Sequence, residues 1–253
     1  MRFLFRLIPS LLGVATLVAF VLIAIDPVKF VYISSVFFIV MIYGIFELFS
    51  RRVRGKDFAG AVTTLILFTA SGIGFFLFIE DTASRFLTAF VVALLVTFFA
   101  EQLYRWFYNT AQVPSYALGV SVSLLRIFTI FFLSADLIGL RIFIGLPIWS
   151  LVPGFVILIM LLVASGGWAQ GKNNRPKSET FLLGLLFGEL FWVILYLPSS
   201  FQVGGALIAL AWYIVIGLLS VLESGLRVRR TIGRYALVGA VLFIIIILTA
   251  RWV

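Results

Sequence analysis

The sequence predicts an all-α, polytopic transmembrane helix bundle of about nine spans, eight to ten being compatible with it, with the N-terminus in the cytoplasm. Three observations lead there. Of 253 residues, 63% are hydrophobic and 11% charged, against about half apolar and about a quarter charged in a soluble domain. The apolar residues fall in runs of about 20, the length that crosses a bilayer core as a helix. The basic residues cluster between those runs, where they act as topology signals.

The runs follow in order. The first reads Leu7–Ile25, after Arg2 and Arg6, and ends at Asp26-Pro27. It is longer than the apolar core of a signal peptide and lacks a small-x-small cleavage site, so it is expected to be retained. The second covers Phe30–Phe49 and stops at the basic stretch Arg51–Lys56; the third runs Phe58–Ile79. The fourth starts near Arg85, passes Glu101 and ends on Tyr104, Trp106 and Tyr108, rings that favour the headgroup level. The fifth is expected from Pro114 to Ile138. Gly139–Pro153 is apolar but holds Arg141, Pro147 and Pro153, which predicts an interfacial loop or a re-entrant segment. Spans six to nine read Gly154–Ala169, Thr180–Leu197, Gly204–Leu222 and Tyr235–Trp252. No loop is long enough to fold alone, so residues 1–253 are expected to form a single integral membrane domain.

Orientation follows from counting Lys and Arg. With the N-terminus inside, fourteen fall in inner segments and four (Lys29, Arg85, Arg141 and Arg251) in outer ones, with Arg126 inside a span. That bias sets the topology and points to a bacterial cytoplasmic (inner) membrane. The net charge of +9 is then matched to the bilayer, with anionic headgroups at the cytoplasmic loops. No independent basic domain is present to carry a nucleic-acid interface.

Composition excludes much chemistry. Cysteine and histidine are both absent, which removes thiolate chemistry, thiolate or imidazole metal ligation, and histidine acid–base catalysis. There is no G-x-x-x-x-G-K-[ST] and no H-E-x-x-H. No cofactor or metal is implied.

Two constellations remain. Glu47/Arg51, Glu101/Arg105 and Glu223/Arg227 each stand at i,i+4 near the inner end of a span, on one helix face with the glutamate N-terminal. As interfacial ion pairs they let the glutamate approach the membrane while the arginine snorkels to headgroups. The short likeness of Ile45–Arg54 to Val221–Arg230 also fits an internal repeat, as many transporters have.

The second constellation is intramembrane. Glu189 lies about 12 Å into the seventh span and Arg126 about 18 Å into the fifth. Either one alone in lipid costs on the order of 3 kcal/mol, so both are expected to face protein, water or each other. Ser123 and Thr129 flank Arg126 at three residues on either side. Trp192 and Tyr196 share the face of Glu189, beside the close-packing step Gly184-x-x-x-Gly188. The outer acidic residues Asp26, Glu80, Asp81 and Asp136 are expected to be solvated loop ends.

This pattern points to a permease-like protein that binds or moves a small solute or lipid-like molecule. Arg126 would take an anionic group, with Glu189 as counter-ion or protonatable switch. An accessory or assembly subunit with a membrane-protein partner is the alternative, with Arg126–Glu189 a structural ion pair. An intramembrane enzyme acting on lipid-linked substrates ranks last, for want of a catalytic cluster.

Overall fold

The computed structural model describes residues 2–49, 55–108, 117–165, 177–224 and 228–250. Among them every regular element is helical and no strand occurs. Nine α-helices follow in order: α1 (Arg2–Ile25), α2 (Phe30–Phe49), α3 (Gly55–Phe78), α4 (Thr82–Tyr108), α5 (Ala117–Gly139), α6 (Ile148–Ala164), α7 (Lys177–Ile194), α8 (Phe201–Ser224) and α9 (Val228–Thr249). Six of the apolar stretches they carry are long enough to cross a membrane: Arg6–Ile25, Pro27–Leu48, Phe58–Phe78, Thr82–Trp106, Leu118–Ile144 and Phe201–Val221. Ile148–Ala164 and Gly233–Thr249 are shorter apolar helices. By length and composition these helices mark the chain as an integral membrane protein.

Inside lipid every backbone polar group must be satisfied within its own segment, which is why the described residues are helical almost throughout. Buried hydroxyls obey the same rule. Thr16 donates to the Leu12 carbonyl at 2.7 Å, Thr64 to Gly60 at 2.8 Å and Thr69 to Leu65 at 2.8 Å. Each hydroxyl thereby spends its proton on the preceding turn of its own helix.

The helices form two compact units. The first comprises residues 1–126 and 161–177, the second residues 127–160 and 178–253. In the first, α1 packs chiefly on α4 and also on α2. Gly13 permits the α1–α4 approach: a Cβ there would collide with the Thr97 side chain and stand 3.4 Å from the Ala93 carbonyl oxygen. The Phe20 and Phe76 rings meet edge to face at 5.1 Å, joining α1 to α3, a favoured aromatic geometry. The Thr64 hydroxyl oxygen of α3 lies 3.3 Å from that of Ser165.

Turns in this unit are closed by polar side chains. Lys29 pairs with Asp26 at 2.9 Å in a short 3-10 turn between α1 and α2, and this hydrogen bond holds the Asp26 carboxyl below its usual range. Asp81 accepts the Ser84 amide at 2.8 Å and caps α4, which also lowers its pKa. The cap supplies one of the acceptors that a helix N-terminus lacks.

In the second unit α7 lies on α6 through its two glycines. A Cβ at Gly184 would stand 2.7 Å from Met160 Cγ, and one at Gly188 would collide with Val156. The Phe155 and Phe191 rings stack at 4.4 Å across the same contact. Phe187 meets Trp212 at 5.0 Å between α7 and α8, and Tyr213 meets Tyr235 at 5.3 Å between α8 and α9. The far face of α9 is exposed along Leu237, Val241, Leu242, Ile244, Ile245 and Leu248, as a lipid-facing helix should be.

The C-terminal end of α5 differs from the sequence expectation. Gly139–Pro153 is not a single loop: Leu140–Ile144 carry α5 onward as a wide π turn, and α6 begins at Ile148. Gly145 then reverses the chain at φ 74°, a left-handed conformation suited to glycine. Its N–H is bonded to the Arg141 carbonyl at 3.1 Å. Pro147 leads directly into α6, which accommodates Pro153 in its second turn. The apolar stretch of α5 therefore extends over Leu118–Ile144, 27 residues.

Candidate functional site

Polar groups are concentrated on α5. Ser121, Arg126, Thr129, Ser134 and Asp136 are all buried there. Ser121 and Ser134 return their protons to their own helix, at the Leu118 and Ile130 carbonyls. Arg126 and Asp136 are the costly members, since a long apolar helix has no intrinsic use for either charge. Ten residues separate them, about 15 Å along the axis.

Arg126 is 8% exposed and Thr129 1%. Ser123 is half-buried and donates to the Gly119 carbonyl at 2.8 Å. Arg126 falls in the first unit, Thr129 and Glu189 in the second.

Glu189 is exposed on α7 instead of turned inward. The inward face of that helix is already filled by Leu183, Gly184, Phe187, Gly188 and Phe191. The glycines that would have brought a polar neighbour close bring Val156 and Met160 instead. Trp192 and Tyr196 share the exposed face, and the Trp192 indole N–H donates to the Tyr196 hydroxyl at 3.4 Å. The Arg141 guanidinium lies over the Tyr196 ring, 5.4 Å from its centroid, a cation–π contact at the end of α7.

Asp136 was expected as a solvated loop end and is instead 9% exposed within α5. Its Oδ1 has no hydrogen-bond partner, and no ion pair reaches it among the described residues. The expectation failed because the helix continues past Ile138, leaving Asp136 well inside the apolar stretch. The signal was present in Leu137–Leu146, which stays apolar apart from Arg141. The other three acidic residues of that set, Asp26, Glu80 and Asp81, stand in turns. No group of three or more metal-ligating side chains occurs among the described residues.

Of the interfacial pairs, Glu101 and Arg105 meet at 2.9 Å on α4. Glu47 accepts a hydrogen bond from the Tyr43 hydroxyl, one turn earlier on α2. Its expected partner Arg51 lies outside the described residues, as does Arg227, and the Glu223 side chain lies outside them too.

The family DUF5656, a family of proteins of unknown function, matches residues 128–249. The similarity spans the C-terminal half of α5 and all of α6–α9, so it includes Asp136, Arg141, Glu189 and Tyr196 and leaves Arg126 and α1–α4 outside. No curated protein and no solved structure matches the chain.

Proposed function

We propose that this chain is a nine-span permease-like protein of a bacterial inner membrane, with its N-terminus in the cytoplasm, binding or moving a small solute or lipid-like molecule. The observation that carries the reading is the burial of two ionisable side chains, Arg126 and Asp136, in a single long apolar helix, α5. Ionisable groups inside a membrane are expensive, and those turned toward protein or water commonly mark substrate, ion or proton paths. Arg126 supplies a fixed cation for an anionic group, and Asp136 a carboxyl able to gain and lose a proton. The fourteen-to-four asymmetry of basic residues supports the orientation.

The absence of native cysteine makes the test direct. Single cysteines at Ser123 and Thr129 are expected to react with a membrane-impermeant thiosulfonate, although Thr129 is 1% exposed, because a path must admit water. A cysteine at Leu124, which is exposed on the outer face of α5, should stay unlabelled in lipid. Equal inertness at all three positions would sink the permease reading. For any solute the chain carries, Arg126→Ala and Asp136→Asn are both expected to abolish flux with folding retained, whereas Glu189→Gln, at an exposed position, should leave it.

One observation favours the accessory-subunit reading. Glu189 sits exposed among Leu185, Leu186 and Val193, and an acidic residue facing hydrocarbon costs about 3 kcal/mol. A helix of a partner membrane protein offering a donor would remove that cost. On this reading the chain extracted in mild detergent migrates as a complex well above 28.2 kDa, and Glu189→Leu releases it. Wild type migrating alone counts against the assembly role.

A further inference from the structure

The first unit contains a cavity of about 380 Å³ near the junction of α1, α3 and α4, within the roughly 300–1,000 Å³ of small-molecule sites. Its walls include Phe20 and Ala24 of α1, Phe76 of α3, and Phe86 and Ala89 of α4. Arg85 is the one charged residue in the lining. Its Nε donates to the Ile79 carbonyl at 2.5 Å, which fixes the stem of the guanidinium and commits one of its five N–H groups. The carboxylates nearest in sequence leave it uncompensated. Asp81 is engaged by the Ser84 amide, and neither Asp81 nor Glu80 forms an ion pair with Arg85 among the described residues. The N-terminus of α4, three residues before Arg85, adds positive potential to the same place.

A chamber walled by rings and methyl groups, with a fixed and uncompensated cation in its lining, has the chemistry of an amphiphile site. We infer that this cavity binds a single acyl chain whose anionic head, a carboxylate or a phosphate, rests on Arg85. Apolar walls take the tail without selecting its head. Arg85 selects the head, because an oxyanion gains charge-assisted hydrogen bonds that a neutral hydroxyl cannot. The site lies apart from the polar residues of α5 and does not rest on the permease reading. It extends that reading to a lipid-like ligand with a defined head charge.

The test uses the full chain purified in a neutral maltoside detergent, with cis-parinaric acid as the fluorescent probe. Palmitate, palmitoyl lysophosphatidylglycerol and hexadecanol then compete for it. Either anionic competitor is expected to displace the probe at least about tenfold more tightly than hexadecanol, the equivalent of one hydrogen bond to a charged group. Whichever of palmitate and the lysophospholipid binds more tightly assigns the source as free fatty acid or bilayer lipid; equal affinities assign the shared chemistry. Arg85→Gln should erase the advantage over hexadecanol, and Arg85→Lys should keep most of it. Ala24→Phe, which fills the chamber, should weaken all three competitors, with an unchanged helical circular-dichroism spectrum confirming the fold. Equal competition by hexadecanol and palmitate in wild type, or an advantage unchanged in Arg85→Gln, overturns the inference. Neither outcome bears on labelling at Thr129, so the two proposals fail separately.

Discussion

Gly205→Ala is expected to destabilise the chain by about 1–3 kcal/mol, the usual cost of forcing a methyl group into a filled contact. The reason is what that methyl would meet. A Cβ at Gly205 stands 2.8 Å from the Phe131 carbonyl oxygen, 2.9 Å from the Ala135 Cβ and 3.2 Å from the Ala135 amide nitrogen. Those atoms belong to the backbone of α5 or are fixed to it, so no rotamer change relieves the collision and α8 must move away. Two other glycines calibrate the result. At Gly239 the nearest atom is the flexible end of Ile214, at 2.8 Å, so alanine there should cost less. At Gly154 nothing lies within 4 Å, and alanine should be neutral or add about 0.5–1 kcal/mol through helix propensity. Thermal unfolding in detergent micelles ranks the three. If Gly205→Ala unfolds together with Gly154→Ala, the α5–α8 contact is not as close as described.

Asp136→Leu should do the reverse and raise stability, by about 1–3 kcal/mol, since a buried polar group without a partner carries roughly that penalty. Leucine removes the charge and the Oδ1 lone pairs, which no hydrogen bond satisfies. Asp136→Asn removes only the charge and should gain less. Under the permease reading the same variants lose flux, so stability and activity would move in opposite directions, as they do where a strained group is kept for function. A loss of stability in Asp136→Leu would show that the carboxyl is satisfied within the membrane, by water or by another subunit, and would shift weight to the assembly reading.

Much of the fold was legible in the residue order. Apolar runs separated by basic clusters placed each helix of the described residues, though the starts of α6 and α9 lie at Ile148 and Val228 and not at Gly154 and Tyr235; in lipid the backbone has almost no alternative to a helix. The end of α5 was misjudged for a local reason. Gly139, Arg141 and Pro147 resemble a loop, whereas Gly139 belongs to α5, a π turn absorbs Arg141, and the chain reverses only at Gly145. The candidate site was less legible. Arg126 and Thr129 were identified as residues and are buried, but the orientation of Glu189 could not be read, because glycines and leucines alternate around α7 and either face could have been the inner one.

Composition and spacing by themselves determined that this chain is helical, lives in a membrane, and lacks thiol and imidazole chemistry. Those properties depend on how long and how apolar each segment is, and on which residue types are present, and both are written in one dimension. Only the tertiary structure decided which side of each helix is covered. It buried Asp136, exposed Glu189, seated Val156 and Met160 in the glycine step of α7, and left a cavity beside Arg85. Covering a helix face depends on the shapes of side chains distant in sequence, and in an apolar solvent hydrophobicity no longer separates inside from outside.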